Sequence, residues 1–205
     1  MLSRAKNKMK DKIINNSVAL FNEFGVNKTS FRNIAASLTL SDGHVRYYFK
    51  TKESLLLAIF DRMNSEILDL AGQTTVTHDD IQSSLKNNLK SAFLIMVRYS
   101  FFFTEAPATF NQFTELSLYY AKLVSDRKNL FLTLFKRLKK EGFFVKSFSE
   151  LLQEYAFYSI FIISDSWIRH YMIINNKIPD LQAVEFHTAV AFSVLQPYIS
   201  EQASQ

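Results

Sequence analysis

The sequence predicts an all-α protein of about nine helices, and three observations carry that expectation. Only 4 Gly and 3 Pro occur among 205 residues, so the residues that end helices and shape tight turns are scarce. Apolar residues return at helical rather than alternating spacing in most of the chain. Hydrophobic residues make up 48%, with 20 Phe and a mean hydropathy of −0.03, as in a folded, soluble chain long enough to bury a substantial core.

Taken in order, residues 8–24 place Ile13, Ile14, Val18, Leu20, Phe21 and Phe24 on one helical face, and Gly25 ends that helix in a left-handed cap. Thr29 or Ser30 caps a short second helix whose stripe is Phe31, Ile34, Ala35 and Leu38. Ser41 caps a third helix through about Tyr48, and Thr51 caps a fourth carrying Leu55, Leu56, Ile59, Met63, Ile67 and Leu70. The second and third helices, separated by Thr39-Leu40-Ser41 and allowed close approach by Ala35 and Ala36, form a candidate helix-turn-helix. Val45 and Phe49, four residues apart, bury inward, leaving Asp42, Gly43, His44, Arg46, Tyr47 and Tyr48 over the remaining surface.

Residues 71–80 are a polar break that divides the chain into a head at 1–52, a connecting helix at 53–71 and a helical body at 72–205. In the body, Thr77 and Asp80 resemble a helix start, the run extends to Phe103, and Pro107 stops it. Leu116 to Glu141 is a long helix with Lys136, Arg137, Lys139 and Lys140 at its C-terminal end, where cations suit the helix dipole, followed by Gly142. Residues 149–175 and 180–199 are two final helices; the first is apolar on more than one side and needs neighbours all round.

Charge is uneven. Residues 1–53 hold ten Lys/Arg against four Asp/Glu, a net +6, while the remainder is −1. A positive field at one end suggests a polyanion partner there, or a basic solubilising tail. The absence of cysteine excludes disulfide frameworks and thiolate metal sites. No secretory signal pattern opens the chain, so a cytoplasmic protein is expected. Residues 155–174 are apolar enough to test as a membrane span, but Asp165, Arg169 and His170 would be costly in lipid, so a buried helix and no membrane partner are expected. His78, His170 and His187 lack the paired spacing of a helical metal site. No acid–base pair or nucleophile system stands out either, and no enzyme, metal or cofactor is expected.

The stretch from Ala19 to Phe60, "ALFNEFGVNKTSFRNIAASLTLSDGHVRYYFKTKESLLLAIF", resembles the DNA-binding domain of tetracycline-repressor (TetR) family transcriptional regulators. The matching features are a helix ending in aromatic-Gly, a Thr leading into the Ile34-Ala35 helix, Ser-x-Gly opening a short recognition helix, then Tyr-Tyr-Phe-Lys and Thr-Lys-Glu-x-Leu-Leu. A looser likeness, in "RYSFFFTEAPATF" at 98–110, is to the fifth and sixth helices of a TetR subgroup. The resemblance implies an all-α homodimer with a three-helix DNA-binding head, a connecting fourth helix and a larger ligand-sensing and dimerisation body. Two recognition helices would then enter successive major grooves of a palindrome, roughly 34 Å apart.

By position, the resemblance makes Asp42, Gly43, His44, Arg46 and Tyr48 the base-facing candidates, and Thr29, Ser30, Arg32, Tyr47 and Lys52 the phosphate candidates, with His44 able to serve either role. Arg46 carries a planar donor fork matching guanine O6 and N7, or it contacts a phosphate. Gly43 lets the helix start approach DNA closely, or is merely tolerated in a first turn. Asp42, an acceptor near phosphates, either caps the helix or receives from cytosine N4. Lys52 joins the amides of the fourth helix in an anion site, or is a solvated lysine. Arg4, Lys6, Lys8, Lys10 and Lys12 make either an arm toward the minor groove or a solubilising tail.

TetR-like bodies enclose an apolar pocket, whose polar contacts here would come from Arg98, Tyr99, Tyr119, Tyr120, Tyr158 and Trp167. Asp165 and Arg169 lie four apart and pair on a helix face. By the same resemblance the last two helices form the dimer interface, with Ala189, Ala191, Phe192 and Leu195 as its contacts or, alternatively, as an intramolecular core face. The implied function is a homodimeric, sequence-specific regulator of double-stranded DNA, a repressor released by an apolar or aromatic small molecule. The competing reading is a helical ligand- or partner-binding protein that keeps the head without reading an operator.

Overall fold

The computed structural model describes residues 2–73 and 81–201. Among them are ten α-helices: α1 (Leu2–Phe24), α2 (Phe31–Ser37), α3 (Asp42–Tyr48), α4 (Lys52–Gln73), α5 (Ile81–Arg98), α6 (Ser100–Thr104), α7 (Ala106–Gln112), α8 (Thr114–Lys140), α9 (Glu150–Asn175) and α10 (Leu181–Ser193). A 3-10 turn, Gln196–Tyr198, follows α10. The all-α expectation holds; the one β-type pairing among the described residues is an isolated bridge between Phe144 and Ile199. The expected helix start at Thr77 and Asp80 lies outside the described residues.

The chain forms two compact units. The first joins the residues up to Glu66 with Arg98–Tyr119. Its core takes Ile13, Ile14 and Phe21 from α1, Phe31 and Ile34 from α2, Val45 from α3, and Leu55, Leu56, Ile59 and Phe60 from α4. Phe24, expected on the inward face of α1, is instead 51% exposed. The residues of α1 described as buried are Ile13, Ile14, Ser17 and Phe21; Phe24 lies three residues beyond Phe21, on the turn where Gly25 (φ +84°) ends the helix by donating its N–H to the Phe21 carbonyl at 3.0 Å.

Caps then define the helix-turn-helix. Ser30 caps α2 in a reciprocal box with Asn33, whose N–H reaches the Ser30 hydroxyl at 3.2 Å while its side-chain oxygen accepts the Ser30 N–H at 2.8 Å. Helix α2 stops where Leu40 N–H folds back to the Ala35 carbonyl at 2.8 Å, which puts Thr39 in the left-handed region at φ 57°. Ser41 accepts the His44 N–H at 3.2 Å and starts α3. Thr51 and Ser54 exchange side-chain and backbone bonds at 3.0 and 3.2 Å to start α4.

The segment from Arg98 to Tyr119 completes this unit. Asn22 of α1 donates to the Arg98 carbonyl at 2.8 Å and accepts the Phe101 N–H at 3.0 Å. Glu105 accepts the N–H of fully buried Val26 at 3.0 Å. Phe101 packs on Phe21 with centroids 5.2 Å apart, and Phe102 on Phe60 at 5.2 Å, each buried ring contributing roughly 1.5–3 kcal/mol. Here the sequence expectation is corrected: no single helix runs to Phe103. It breaks at Tyr99, and Pro107, expected to stop a helix, lies in the first turn of α7. Proline fits there because the first-turn N–H groups have no intrahelical acceptor to lose.

The second unit comprises Ile67–Val97 and the chain from Tyr120 onward. One core cluster of this unit joins Phe135, Leu138, Phe143, Phe144, Phe148, Ile160, Phe192 and Leu195. Gly142 (φ +85°) turns the chain out of α8, with Phe143 N–H bonded to the Leu138 carbonyl at 3.0 Å. The last described segment returns to this turn: Val145 N–H reaches the Tyr198 carbonyl at 2.8 Å, and Tyr198 stacks on Phe148 at 4.3 Å. Ser149 caps α9 and Asp180 caps α10.

Candidate nucleic-acid interface

Helix α3 is held from one side only. Val45 is fully buried and Phe49, its C-cap, is 3% exposed, which fixes the helix on α2 and leaves the opposite face clear. On that face Gly43, His44, Arg46 and Tyr47 are exposed and Tyr48 is half-buried. The Cβ position of Gly43 meets no atom closer than Ser41 Oγ at 4.0 Å, so nothing within the protein requires glycine there. His44, Tyr48 and Tyr47 form an aromatic row with centroid spacings of 5.7 and 5.2 Å. Lys6 of α1 lies 5.3 Å over the Tyr47 ring and Lys10 lies 5.7 Å over Phe49. The basic N-terminal residues Lys6, Lys8, Lys10 and Lys12 thus lie on helix α1, and two of them flank the recognition helix.

Asp42 and Arg46 form an ion pair one helical turn apart, Arg46 Nε donating to Asp42 Oδ2 at 2.7 Å. The Arg46 guanidinium also lies 5.1 Å over the Phe31 ring of α2. Asp42 stands in the first turn of α3 as well, where its charge suits the helix dipole.

Among the phosphate candidates, Arg32 is exposed, and Ser30 is exposed with its hydroxyl engaged by Asn33. Thr29 requires a correction. It is 1% exposed and its hydroxyl donates to the Gly25 carbonyl at 2.9 Å, so the turn consumes the group that was to reach phosphate. Lys52 is neither fully solvated nor turned to the surface alone: its Nζ donates to the Val26 carbonyl at 2.9 Å, and burial lowers its pKa.

The nominated pocket residues fall in both units. Arg98, Tyr99 and Tyr119 lie in the first unit, and Tyr120, Tyr158 and Trp167 in the second. Arg98 and Tyr99 both bond Glu66, burial first and then Glu66 pushing the Tyr99 hydroxyl up to about 12. Tyr119 donates to Asp61 at 2.7 Å. Tyr158 is 41% exposed. Trp167 is buried between Phe93 and His187, at 5.2 and 4.8 Å, with its indole N–H lacking an acceptor. Asp165 does not pair with exposed Arg169; it accepts the Tyr120 hydroxyl, and burial raises its pKa to about 6. A separate groove of about 420 Å³ lies between the end of α9 and the start of α10, lined by His170, Tyr171, Lys177, Phe186 and His187 among others.

Of the two readings of the dimer candidates, the intramolecular core face holds for three. Ala191, Phe192 and Leu195 are at most 5% exposed and pack inside their own unit; only Ala189 faces outward. The exposed apolar face instead carries Leu151, Tyr155, Tyr158, Ile162 and Ile173 on α9, with Phe186 and Val190 on α10. Spacings of four, three and four from Leu151 to Ile162 make this a helical stripe, legible in the sequence as the second apolar side of that helix. Asn22 and Glu105 gave no such signal, since their partners are 76 to 79 residues away.

A basic surface around a one-sidedly anchored helix, presented by a capped helix-turn-helix, defines a DNA-binding transcriptional regulator by class. Family comparison agrees: residues 13–59 match the model described as bacterial regulatory proteins, tetR family, and residues 44–205 match one described as bacterial transcriptional repressor, TetR. The chain belongs to the TetR family of bacterial transcriptional regulators. It is 38% identical over 80 residues to the probable HTH-type transcriptional regulator YttP of Bacillus subtilis, covering 38% of this chain and 39% of that one. It is 36% identical over 64 residues to IcaR of Staphylococcus aureus, a negative transcriptional regulator of the biofilm operon icaADBC, covering 29% of this chain and 34% of IcaR. The aligned regions therefore span little more than a third of those relatives. In fold, a TetR-family regulator from Marinobacter aquaeolei superposes with a TM-score of 0.79 at 19% identity, covering 96% of this chain and 94% of that one. The SmeT–triclosan complex superposes with a TM-score of 0.69 at 17% identity, covering 95% and 93%.

Among the described residues no helix is long and apolar enough to cross a membrane, and no cluster of three His, Cys, Asp or Glu could hold a metal ion.

Proposed function

We propose that this protein is a repressor that binds a palindromic operator as a homodimer, reading bases with α3 and releasing DNA when a small apolar or aromatic molecule occupies its body. The observation that carries the reading is the exposed row Gly43, His44, Arg46 and Tyr47 on a helix fixed from behind by Val45 and Phe49. Gly43, with open space where a side chain would stand, lets the first turn of α3 approach a base edge or sugar. Arg46 reads guanine through its terminal nitrogens, worth about 1–3 kcal/mol of discrimination. His44 and Tyr48 complete the base-facing row; Ser30, Arg32, Tyr47 and Lys52, with Lys6 and Lys10, hold the phosphates and set register without reading sequence. Residues 1–52 act as the DNA-reading head, 53–71 as the connection and 72–205, apart from the stretch 98–119 that completes the first unit, as the sensing and dimerising body.

Dimerisation uses the exposed stripe of α9 and α10. Ile162, 62% exposed, and Phe186, 64% exposed, would otherwise stay in water on adjacent helices of one unit. An aromatic effector is in keeping with the phenylalanine-rich body and with a structural relative captured with triclosan. Such a molecule weakens operator binding only by favouring a state of the body that the DNA-bound form disfavours.

The test is a gel shift with DNA from the protein's own upstream region against unrelated competitor. Specific retention that Arg46→Ala abolishes is the expected result, and equal affinity for every duplex refutes the reading.

A further inference from the structure

Arg46 offers DNA two different forks. One uses the two terminal nitrogens end-on; the other uses Nε with one terminal nitrogen, side-on. In the structure Nε is occupied: it donates to Asp42 Oδ2 at 2.7 Å, one turn away on the same helix. The pair has its acid N-terminal to its base, the favourable sense for an i, i+4 pair, and Asp42 is also placed to interact with the helix dipole. From the other side the Phe31 ring, 5% exposed and rooted in α2, supports the guanidinium face at 5.1 Å. The terminal nitrogens make no hydrogen bond among the described residues.

We propose that Asp42 is the positioning residue of the recognition helix: with Phe31 it holds Arg46 so that only the end-on fork is presented, and it neutralises the arginine toward phosphate. This rests on the regulator reading above and extends it to what sets specificity. Two consequences follow, one from charge and one from conformational freedom. A guanidinium already paired with a carboxylate gains less from a phosphate than an unpaired one, so the pair suppresses sequence-independent binding. An arginine locked in one approach loses less freedom on meeting guanine than one that must be ordered at that moment. Asp42 therefore accounts for an acid on a DNA-facing helix without any contact of its own to a base.

The experiment uses the full-length protein and a pool of duplexes with a randomised central segment. A sequence enriched by the wild type, and a shuffled duplex of the same composition, then serve as the two probes for Asp42→Asn, Asp42→Glu, Arg46→Lys and the Asp42→Asn/Arg46→Lys double variant. Expected for Asp42→Asn is a specific-to-shuffled affinity ratio reduced about tenfold, with shuffled DNA bound more tightly and the salt slope on that DNA steeper by about one. Asp42→Glu restores the ratio. The double variant is no worse in ratio than Arg46→Lys alone, because Asp42 acts through the arginine fork. A purely helix-capping role would lower affinity for both probes alike and leave the slope unchanged, and that result overturns the proposal. So does a double variant whose losses simply add. If the wild type enriches no sequence at all, the regulator reading falls and this inference with it; if it enriches one that Asp42→Asn reads equally well, this inference alone falls.

Discussion

Replacing Gly25 by Ala tests how the head is held to residues 98–119, because two independent penalties meet at that position. The backbone sits at φ +84°, where an L side chain costs about 1–2 kcal/mol. An added Cβ would also lie 2.3 Å from Glu105 Oε1. The carboxylate can swing away, but it then abandons the N–H of Val26, which is fully buried, and an unpaired buried amide costs roughly 1–3 kcal/mol. Gly25→Ala should therefore destabilise by about 1–4 kcal/mol in urea unfolding, after roughly 0.5–1 kcal/mol is returned by the stiffer unfolded chain. Glu105→Ala alone should cost about 1–3 kcal/mol, since it removes the acceptor without the backbone penalty. In the double variant the clash has gone, so the cost of Gly25→Ala falls to the backbone share of about 1 kcal/mol. Strict additivity, within about 0.5 kcal/mol, would refute the role given to Glu105. A Gly25→Ala variant as stable as the wild type would refute the backbone argument too.

Thr39→Gly should stabilise by about 0.5–1 kcal/mol, because a β-branched residue at φ 57° is strained where glycine is not; a lowered Tm would contradict this. Asp165 has a carboxyl raised by burial from 3.8 to about 6, so between those values the folded protein binds more protons than the unfolded chain. Its contribution is complete below the lower value and is lost as pH rises through the upper one. Asp165→Asn should accordingly match the wild type near pH 4 and exceed it by up to about 3 kcal/mol at pH 7, as read by urea unfolding at each pH; a pH-independent difference would rule the burial argument out. Ile162→Glu together with Phe186→Glu should convert a dimer to a folded monomer in light scattering, and an unchanged mass would place the interface elsewhere.

Local chemistry made the head legible. Ser30, Ser41 and Thr51 announce helix starts within three residues of the amides they accept, and Gly25 announces a helix end, so the elements could be read from short windows. The turn at Thr39–Ser41 was legible too, but not its geometry, since nothing in the chemistry of Thr39 advertises a left-handed backbone. Thr29 was misread because a hydroxyl near a helix start has two fates, and burial rather than spacing decided that it would serve the Gly25 carbonyl. The break at Tyr99 and the bonds of Asn22 and Glu105 depend on partners far along the chain. The dimer candidates stayed open between interface and core for a related reason: α10 has no sharply segregated apolar face, so periodicity could not say which residues its own unit would bury.

The closing segment carries a consequence for synthesis. The first unit has its last residue by Tyr119, whereas the second completes its packing only when Leu195, Tyr198 and Ile199 reach the turn after α8. At about 5–20 residues per second, roughly 4–16 s of translation separate those two events. During that interval the faces of Phe143, Phe144 and Phe148 await their cover, so a nascent chain stalled before Leu195 should be a preferred client of chaperones and proteases, while its DNA-reading end is already formed.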